Sequence, residues 1–138
     1  MAERQYLFDT NILSDLIKRP HSSLANRISG LEHDAFCTSI VVACELRYGA
    51  VKRGSERLTA RVNQLLSRIE VLPLEPEVDQ HYAAIRVAWE RVGQPIGQND
   101  LFIAAHARVL GLKLITANLR EFSRIPDLAV ENWLTPSA

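Results

Sequence analysis

The chain has 138 residues, of which 47% are apolar and 23% charged, and its 16 basic and 16 acidic side chains cancel. That length fits a single domain over residues 1–138 that buries a core without cross-links, and the balance excludes disordered, collagen-like and coiled-coil chains. Zero net charge leaves no overall basic footprint, so a nucleic-acid partner would need a local patch.

Tyr6-Leu7-Phe8 is a short apolar run that reads as a buried strand ending at Asp9. Thr10-Asn11 then precede Ile12, Leu13, Leu16 and Ile17 at helical spacing, and Pro20 closes that helix. A second helix is expected over about Ser22 to Ile28, up to Gly30, and Ala35 to Thr38 reads as a second strand. Ser39 caps a helix through Val41, Val42, Glu45, Leu46 and Tyr48 that ends near Gly49 to Gly54. Glu56 to Arg68 is amphipathic, Ile69 to Leu72 is a third strand stopped by Pro73, and Glu77 to Val92 is a long helix ended by Gly93 and Pro95. Asn99 or Asp100 starts a helix that stops at Gly111, a C-cap glycine. Lys113 to Thr116 is a fourth strand, Arg120 to Ser123 a helical turn, and Leu128 to Val130 a fifth, edge strand. Strands alternating with helices predict an α/β fold with a parallel sheet covered on both faces. Functional groups in such folds gather beyond the carboxyl ends of the strands, which singles out Asp9.

Cys37 and Cys44 are too few for a disulfide scaffold and lack zinc spacing, so both are expected as reduced thiols in the core. Glu3, Arg4, Asp9, Asp15 and Lys18 interrupt any signal-peptide run, and no stretch reaches transmembrane length. The expectation is a soluble, cytoplasmic protein.

Three acids sit where charge is inconvenient. Asp9 follows an apolar strand, Glu45 lies in the apolar run Val41 to Leu46, and Asp100 opens Leu101-Phe102-Ile103-Ala104-Ala105. Buried carboxylates need partners or a metal, and several converging acids would repel one another without a divalent cation. Magnesium takes oxygen ligands and activates water for phosphodiester hydrolysis. The alternative for Asp9 and Asp100 is a helix cap. For Glu45 it is an ion pair with Arg47, Lys52 or a distant arginine, although an i, i+2 neighbour such as Arg47 does not face it.

The residues around these acids resemble the motifs of PIN-domain ribonucleases, particularly the VapC-type toxins of bacterial toxin–antitoxin pairs. Leu7-Phe8-Asp9-Thr10-Asn11-Ile12-Leu13-Ser14 looks like their first motif and Ser39 through Gly49, around Glu45, like their second. Ile96 through Ala107, around Asp100, looks like the third, Ile115 through Phe122 like the fourth, and Val130-Glu131-Asn132-Trp133 like the usual ending. The resemblance implies a PIN-like fold: a central parallel sheet of four to five strands flanked by α-helices. It implies that Asp9, Glu45 and Asp100 bind Mg²⁺ or Mn²⁺ and position the attacking water for endonucleolytic RNA cleavage that leaves a 5′-phosphate. The subgroup that looks most alike cleaves initiator tRNA in its anticodon stem-loop. The product would be a translation-inhibiting toxin, held in check by a VapB-type antitoxin, forming a homodimer and a higher complex with that antitoxin.

One departure matters. Many PIN domains carry an aspartate where this chain has Asn118, which contributes a neutral oxygen and no charge. Glu121, three residues on, is a substitute candidate, its alternative being a solvated charge on a helical turn. Thr116, at the end of the fourth strand, is read either as a hydrogen-bond partner of a carboxylate or metal water, or as a helix cap. For RNA phosphates the local patch is Arg47, Lys52, Arg53, Arg57 and Arg61, continued by Arg68, against the single acid Glu56; its alternative is a solvated charged face. His21, His33, His81 and His106 show no ligand spacing and read as surface or structural, with His106 turned away from the acids. Tyr82 and Trp89 are expected in the core or against a second subunit, and Trp133 over the sheet edge. Leu13, Leu16, Ile17, Leu24 and Ile28 are either core or the floor of an antitoxin groove.

Two other enzyme readings fail on residues. A haloacid-dehalogenase-type phosphatase needs a second aspartate where Asn11 stands, and a receiver domain needs an acidic pair before its first helix. The remaining rival is a non-catalytic PIN-fold partner that binds nucleic acid with its antitoxin. Three retained acids argue against it and Asn118 slightly for it.

Overall fold

The computed structural model describes residues 3–93 and 96–134. Five strands form one parallel sheet: Tyr6–Phe8 (β1), Phe36–Ser39 (β2), Glu70–Leu72 (β3), Lys113–Ile115 (β4) and Val130–Glu131 (β5). Their order is β3-β2-β1-β4-β5. Phe8 lies opposite Thr38 on one side and Ile115 on the other. From β1 the chain steps outward to β2 and β3, then crosses back to β4 on the opposite side of β1. The order therefore reverses between β1 and β4, the place where α/β sheets open a crevice at their carboxyl ends. The residues just past β1 and β4, Asp9 and Thr116, flank that crevice.

Helices Thr10–Lys18 (α1) and Ser23–Ser29 (α2) join β1 to β2; Ile40–Arg53 (α3) and Glu56–Ser67 (α4) join β2 to β3. Val78–Arg91 (α5) and Gln98–Leu110 (α6) lead to β4, and the short Leu119–Phe122 (α7) to β5. Serines 22, 39 and 55 start their helices by accepting the N–H of Ala25, Val41 and Leu58, each at 3.1 Å. Gly54 and Gly111 end α3 and α6 at φ of 66° and 68°, where a side chain would be strained. α3 therefore runs through Gly49 to Arg53. The strand and helix order matches the sequence reading, with shifts at the ends. β3 starts at Glu70, β5 at Val130 and α6 at Gln98; Pro95, expected to end the long helix, lies outside the described residues. Among the described residues no helix is long and apolar enough to cross a membrane.

The core centres on β1 and β4. Leu7, Phe8, Ile12, Leu13, Ile103, Leu114, Ile115 and Phe122 have at most 1% exposure, and each such side chain contributes about 1.5–3 kcal/mol by leaving water. Trp133 packs its ring edge-on to Tyr6 and Phe8, with centroids 4.8 and 5.7 Å away, beneath the Arg27 guanidinium. Trp89 is buried, and Tyr82 stacks on Phe102. Leu13 and Leu24 are core, while Leu16, Ile17 and Ile28 pack partly buried against it. Cys37 is buried, but Cys44 is exposed, contrary to the core expectation. The core face of α3 carries Val42, Leu46 and Ala50, and Cys44 lies about 200° around the helix from Val42.

His106 is 2% exposed, and its Nδ1 shares a hydrogen bond with Ser39 Oγ at 2.8 Å. Burial lowers its pKa and keeps it neutral, a structural role. Ser39 thus starts α3 and anchors α6 to it. Ser39→Ala removes the cap and strands a buried imidazole nitrogen. It is expected to cost about 1–3 kcal/mol, read from urea unfolding midpoints; a wild-type midpoint would show that the pair does not hold the two helices.

Candidate active site

Asp9 is 3% exposed at the end of β1, and three donors surround its carboxylate. Oδ1 accepts the Thr10 N–H at 2.7 Å; Oδ2 accepts the Thr116 hydroxyl at 2.8 Å and the Asn11 amide at 3.3 Å. The other end of Asn11 accepts the Ala117 N–H at 2.9 Å, and Thr116 Oγ1 accepts the Asn118 N–H at 3.0 Å. The segments after β1 and after β4 are laced together through these side chains. Asp9 both caps α1 and lines the depression, so its role as a cap does not remove it from the cluster. Burial raises its pKa, and the bonds from Thr116 and Thr10 oppose that rise.

Glu45 sits in the second turn of α3, half-buried. Its Oε1 accepts a very short bond from the Thr10 hydroxyl, and its Oε2 accepts the Asn99 amide at 3.3 Å. Neither Arg47 nor Lys52 is its partner. Arg47 donates to Asn63 at 2.5 Å, and the Lys52 ammonium stands 5.7 Å over the Tyr48 ring.

Asp100 occupies the first turn of α6, where Gly97 and not Asp100 holds the cap position. Its side chain is therefore free of capping. Burial first, then the charges of Asp9, Glu45 and Glu121, raise its carboxyl to about 7. Glu121 is half-buried and accepts the Asn118 amide at 3.1 Å, so it faces the cluster electrostatically and is not a purely solvated charge.

Asp9, Glu45, Asp100 and Asn118 line one depression of about 460 Å³, together with Ser14, Lys18 and the paired Asp15 and Arg19. Among the described residues, no group of three or more His, Cys, Asp or Glu side chains is already arranged to hold a metal ion. The donor set nonetheless suits a hard divalent cation. It is all oxygen and carries unbalanced negative charge, and magnesium needs only one or two carboxylates because it keeps several waters.

The sequence reading missed Thr10, Asn11 and Asn99 as holders of the acids. Their signal was adjacency: two directly follow Asp9 and one directly precedes Asp100, positions also explained by helix capping. No histidine lines the depression. His81 accepts from Arg108 Nε at 2.8 Å, and His21 and His33 are exposed.

A second groove, of about 540 Å³, adjoins the depression and shares Thr10, Ser14, Lys18 and Glu45 with it. Of the sequence-predicted basic patch it takes in Arg53, Arg57 and Arg61, but not Arg47 or Lys52. Ile17, one of the surplus apolar residues, also lines it.

The PIN domain family matches residues 6–128. The chain is 39% identical over 131 residues to ribonuclease VapC2 of Haemophilus influenzae, covering 94% of this chain and 98% of that one. It is 38% identical over 130 residues to the tRNA(fMet)-specific endonuclease VapC of Salmonella typhimurium, with the same coverage. Among solved structures it is similar to VapBC2 from Rickettsia felis bound to a DNA fragment from their promoter. There the identity is 35% and the TM-score 0.87, over 93% of this chain and 98% of that one. DNA-bound VapBC from Salmonella typhimurium gives 37% and 0.87, over 94% and 98%. The motifs, the reversed sheet order and these matches agree, and the chain belongs to the PIN-domain family of VapC proteins.

Proposed function

We propose that this chain, one PIN domain over residues 1–138, is a cytoplasmic, metal-dependent endoribonuclease. It is the toxin of a toxin–antitoxin pair, works as a homodimer, and is held in a larger complex by a VapB-type antitoxin. Its substrate class is tRNA, with the initiator tRNA anticodon stem-loop as the target and arrested translation as the result. One observation carries the reading: three acids from three separate elements line one depression, and among the described residues none of them is paired with a cation. The relatives' ribonuclease and tRNA(fMet)-specific endonuclease activities support the substrate class.

Asp9 and Asp100 would hold Mg²⁺, with Mn²⁺ as a substitute. A divalent ion there supplies Lewis acidity and neutralises charge at the scissile phosphodiester. Thr116 and Asn11 fix the Asp9 carboxylate so that it presents the same oxygen at each turnover. Glu45, held at both oxygens by Thr10 and Asn99, orients the attacking water and takes up its proton at the carboxylate. Asn118 adds a neutral amide and Glu121 a nearby charge, so the fourth corner of the cluster is weaker than an aspartate would make it. Cleavage leaves a 5′-phosphate.

Purified, antitoxin-free protein is expected to cut tRNA with Mg²⁺ and to stop in EDTA. Asp9→Asn and Asp100→Asn are expected to slow cleavage by more than about 100-fold, beyond the loss typical of a residue that only supports a ligand. An Asp100→Asn protein that cuts at the wild-type rate would overturn the mechanism. Failure of the wild type to cut RNA with any divalent metal would favour a binding module.

Asp100 also predicts a stability signature that needs no substrate. A carboxyl whose pKa is raised on folding contributes its full stability below the unfolded value, and that contribution is lost as pH climbs to the folded value of about 7. In EDTA, Asp100→Asn is thus expected to melt above wild type near pH 8, with the gap closing toward about pH 4. Mg²⁺ is expected to raise the wild-type melting temperature near pH 8 and to leave Asp100→Asn unmoved. Equal Mg²⁺ shifts in both proteins would remove Asp100 from the metal site.

A further inference from the structure

The groove beside the acids gathers several cations in one cavity. Many arginines elsewhere are engaged: Arg4 with Glu70, Arg19 with Asp15, Arg27 with Glu131, Arg47 with Asn63, Arg86 with Glu90 and Arg108 with His81; Arg68, Arg91 and Arg120 have no such partner among the described residues, but they lie outside the groove. Arg53, Arg57 and Arg61 are exposed, and among the described residues none of them has a hydrogen bond, ion pair or ring contact. All three line the groove with Lys18, and its single acid is Glu45, at the junction with the depression. In a chain of zero net charge, this is four cations against one acid in one groove that adjoins the candidate active site.

The geometry points to this groove as the path of an RNA strand on one side of the scissile phosphate, with Arg53, Arg57 and Arg61 gripping successive phosphates. The inference deepens the ribonuclease reading above and rests on it. Arg57 and Arg61 stand one turn apart on α4, a rise of about 6 Å, which is the scale of neighbouring phosphates along one strand. Arg53, in the last turn of α3, extends the row. Guanidiniums without protein partners keep all their donors for phosphate oxygens. The floor is helix surface, and Gly49 keeps it open: a Cβ at that position would meet nothing within 4 Å. A base from an unpaired strand fits such a floor, consistent with recognition of single-stranded loops. A strand of phosphates is the occupant whose charge complements the row, and the groove adjoins the acids, because Thr10, Ser14, Lys18 and Glu45 line both cavities.

The test is binding of a fluorescein-labelled initiator-tRNA anticodon stem-loop to the antitoxin-free protein. Anisotropy is measured in EDTA to prevent cleavage, across a potassium chloride series. Each phosphate contact on a single strand adds about 0.7 to the slope of log affinity against log salt. The Arg57→Ala/Arg61→Ala double variant is expected to bind at least about tenfold more weakly, with a slope smaller by about 1.4. Arg86→Ala removes one guanidinium charge from α5, outside the groove, and is expected to keep the wild-type slope. Gly49→Leu fills the groove at a helical position with no backbone strain. It is expected to weaken binding without removing charge, and circular dichroism would show it folded. Wild-type affinity and slope in the double variant, or unimpeded binding by Gly49→Leu, would overturn the assignment. Loss of antitoxin binding with RNA binding intact would overturn it as well, in favour of a peptide channel. If the wild type binds the stem-loop and the double variant shows the smaller slope, but the wild type cleaves no RNA with any metal, the groove stands and the ribonuclease reading falls.

Discussion

A carboxylate with 3% exposure at the end of a buried strand is tolerated only if its lost hydration is replaced, and here Thr10, Asn11 and Thr116 replace it. That requirement governs more than Asp9 itself. Thr116 belongs to the segment after β4 and can reach Asp9 only because β4 lies beside β1, in register with Phe8 opposite Ile115. The crossing of the chain from β3 over to β4 is therefore what makes the carboxylate affordable. The same crossing opens the crevice into which α3 and α6 present Glu45 and Asp100.

The three acids are held in three different ways. Asp9 is fixed by donors on both sides of the sheet reversal. Glu45 is clipped between the residue after Asp9 and the residue before Asp100, so its position is tied to both of the other acids. Asp100 is pushed toward neutrality first by burial and then by neighbours of its own sign. A rigid acid, a tethered acid and an acid in electrostatic debt together leave one place where positive charge is most favoured, and it faces the open depression. Burial alone would not distinguish these roles, because Asp100 and Glu45 are both half-buried.

Much of this was legible in the sequence, and the rest was not for definite reasons. Tyr6-Leu7-Phe8 and Lys113 to Thr116 announced themselves as strands because runs so short and apolar have few other uses, and Ser39 marked a helix start through its own hydroxyl. The convergence of Asp9, Glu45 and Asp100 was suggested by the unlikeliness of charge in apolar settings and by family resemblance; spacing alone left them as caps. What stayed hidden depends on direction and pairing. Cys44 differs from Val42 and Leu46 only in helical phase. Arg47 and Arg61 look alike in a charge run, yet one is bound to Asn63 and the other lies in the groove with no partner among the described residues. Thr10 and Asn99 hold Glu45 across separations of 35 and 54 residues, a relation that no local pattern encodes.

The bond between Thr116 and Asp9 spans 107 residues of chain. Closing a loop of that length must precede any benefit from the contact, and a sheet whose central pairing is so remote in sequence has a high contact order. The depression therefore cannot form before that remote pairing does. A nascent or clipped polypeptide that stops short of Thr116 would retain Asp9, Glu45 and Asp100 in its covalent structure and still have no assembled cluster. The acids become a site only when β4 has paired with β1, so the activity proposed for them needs nearly the whole chain in place.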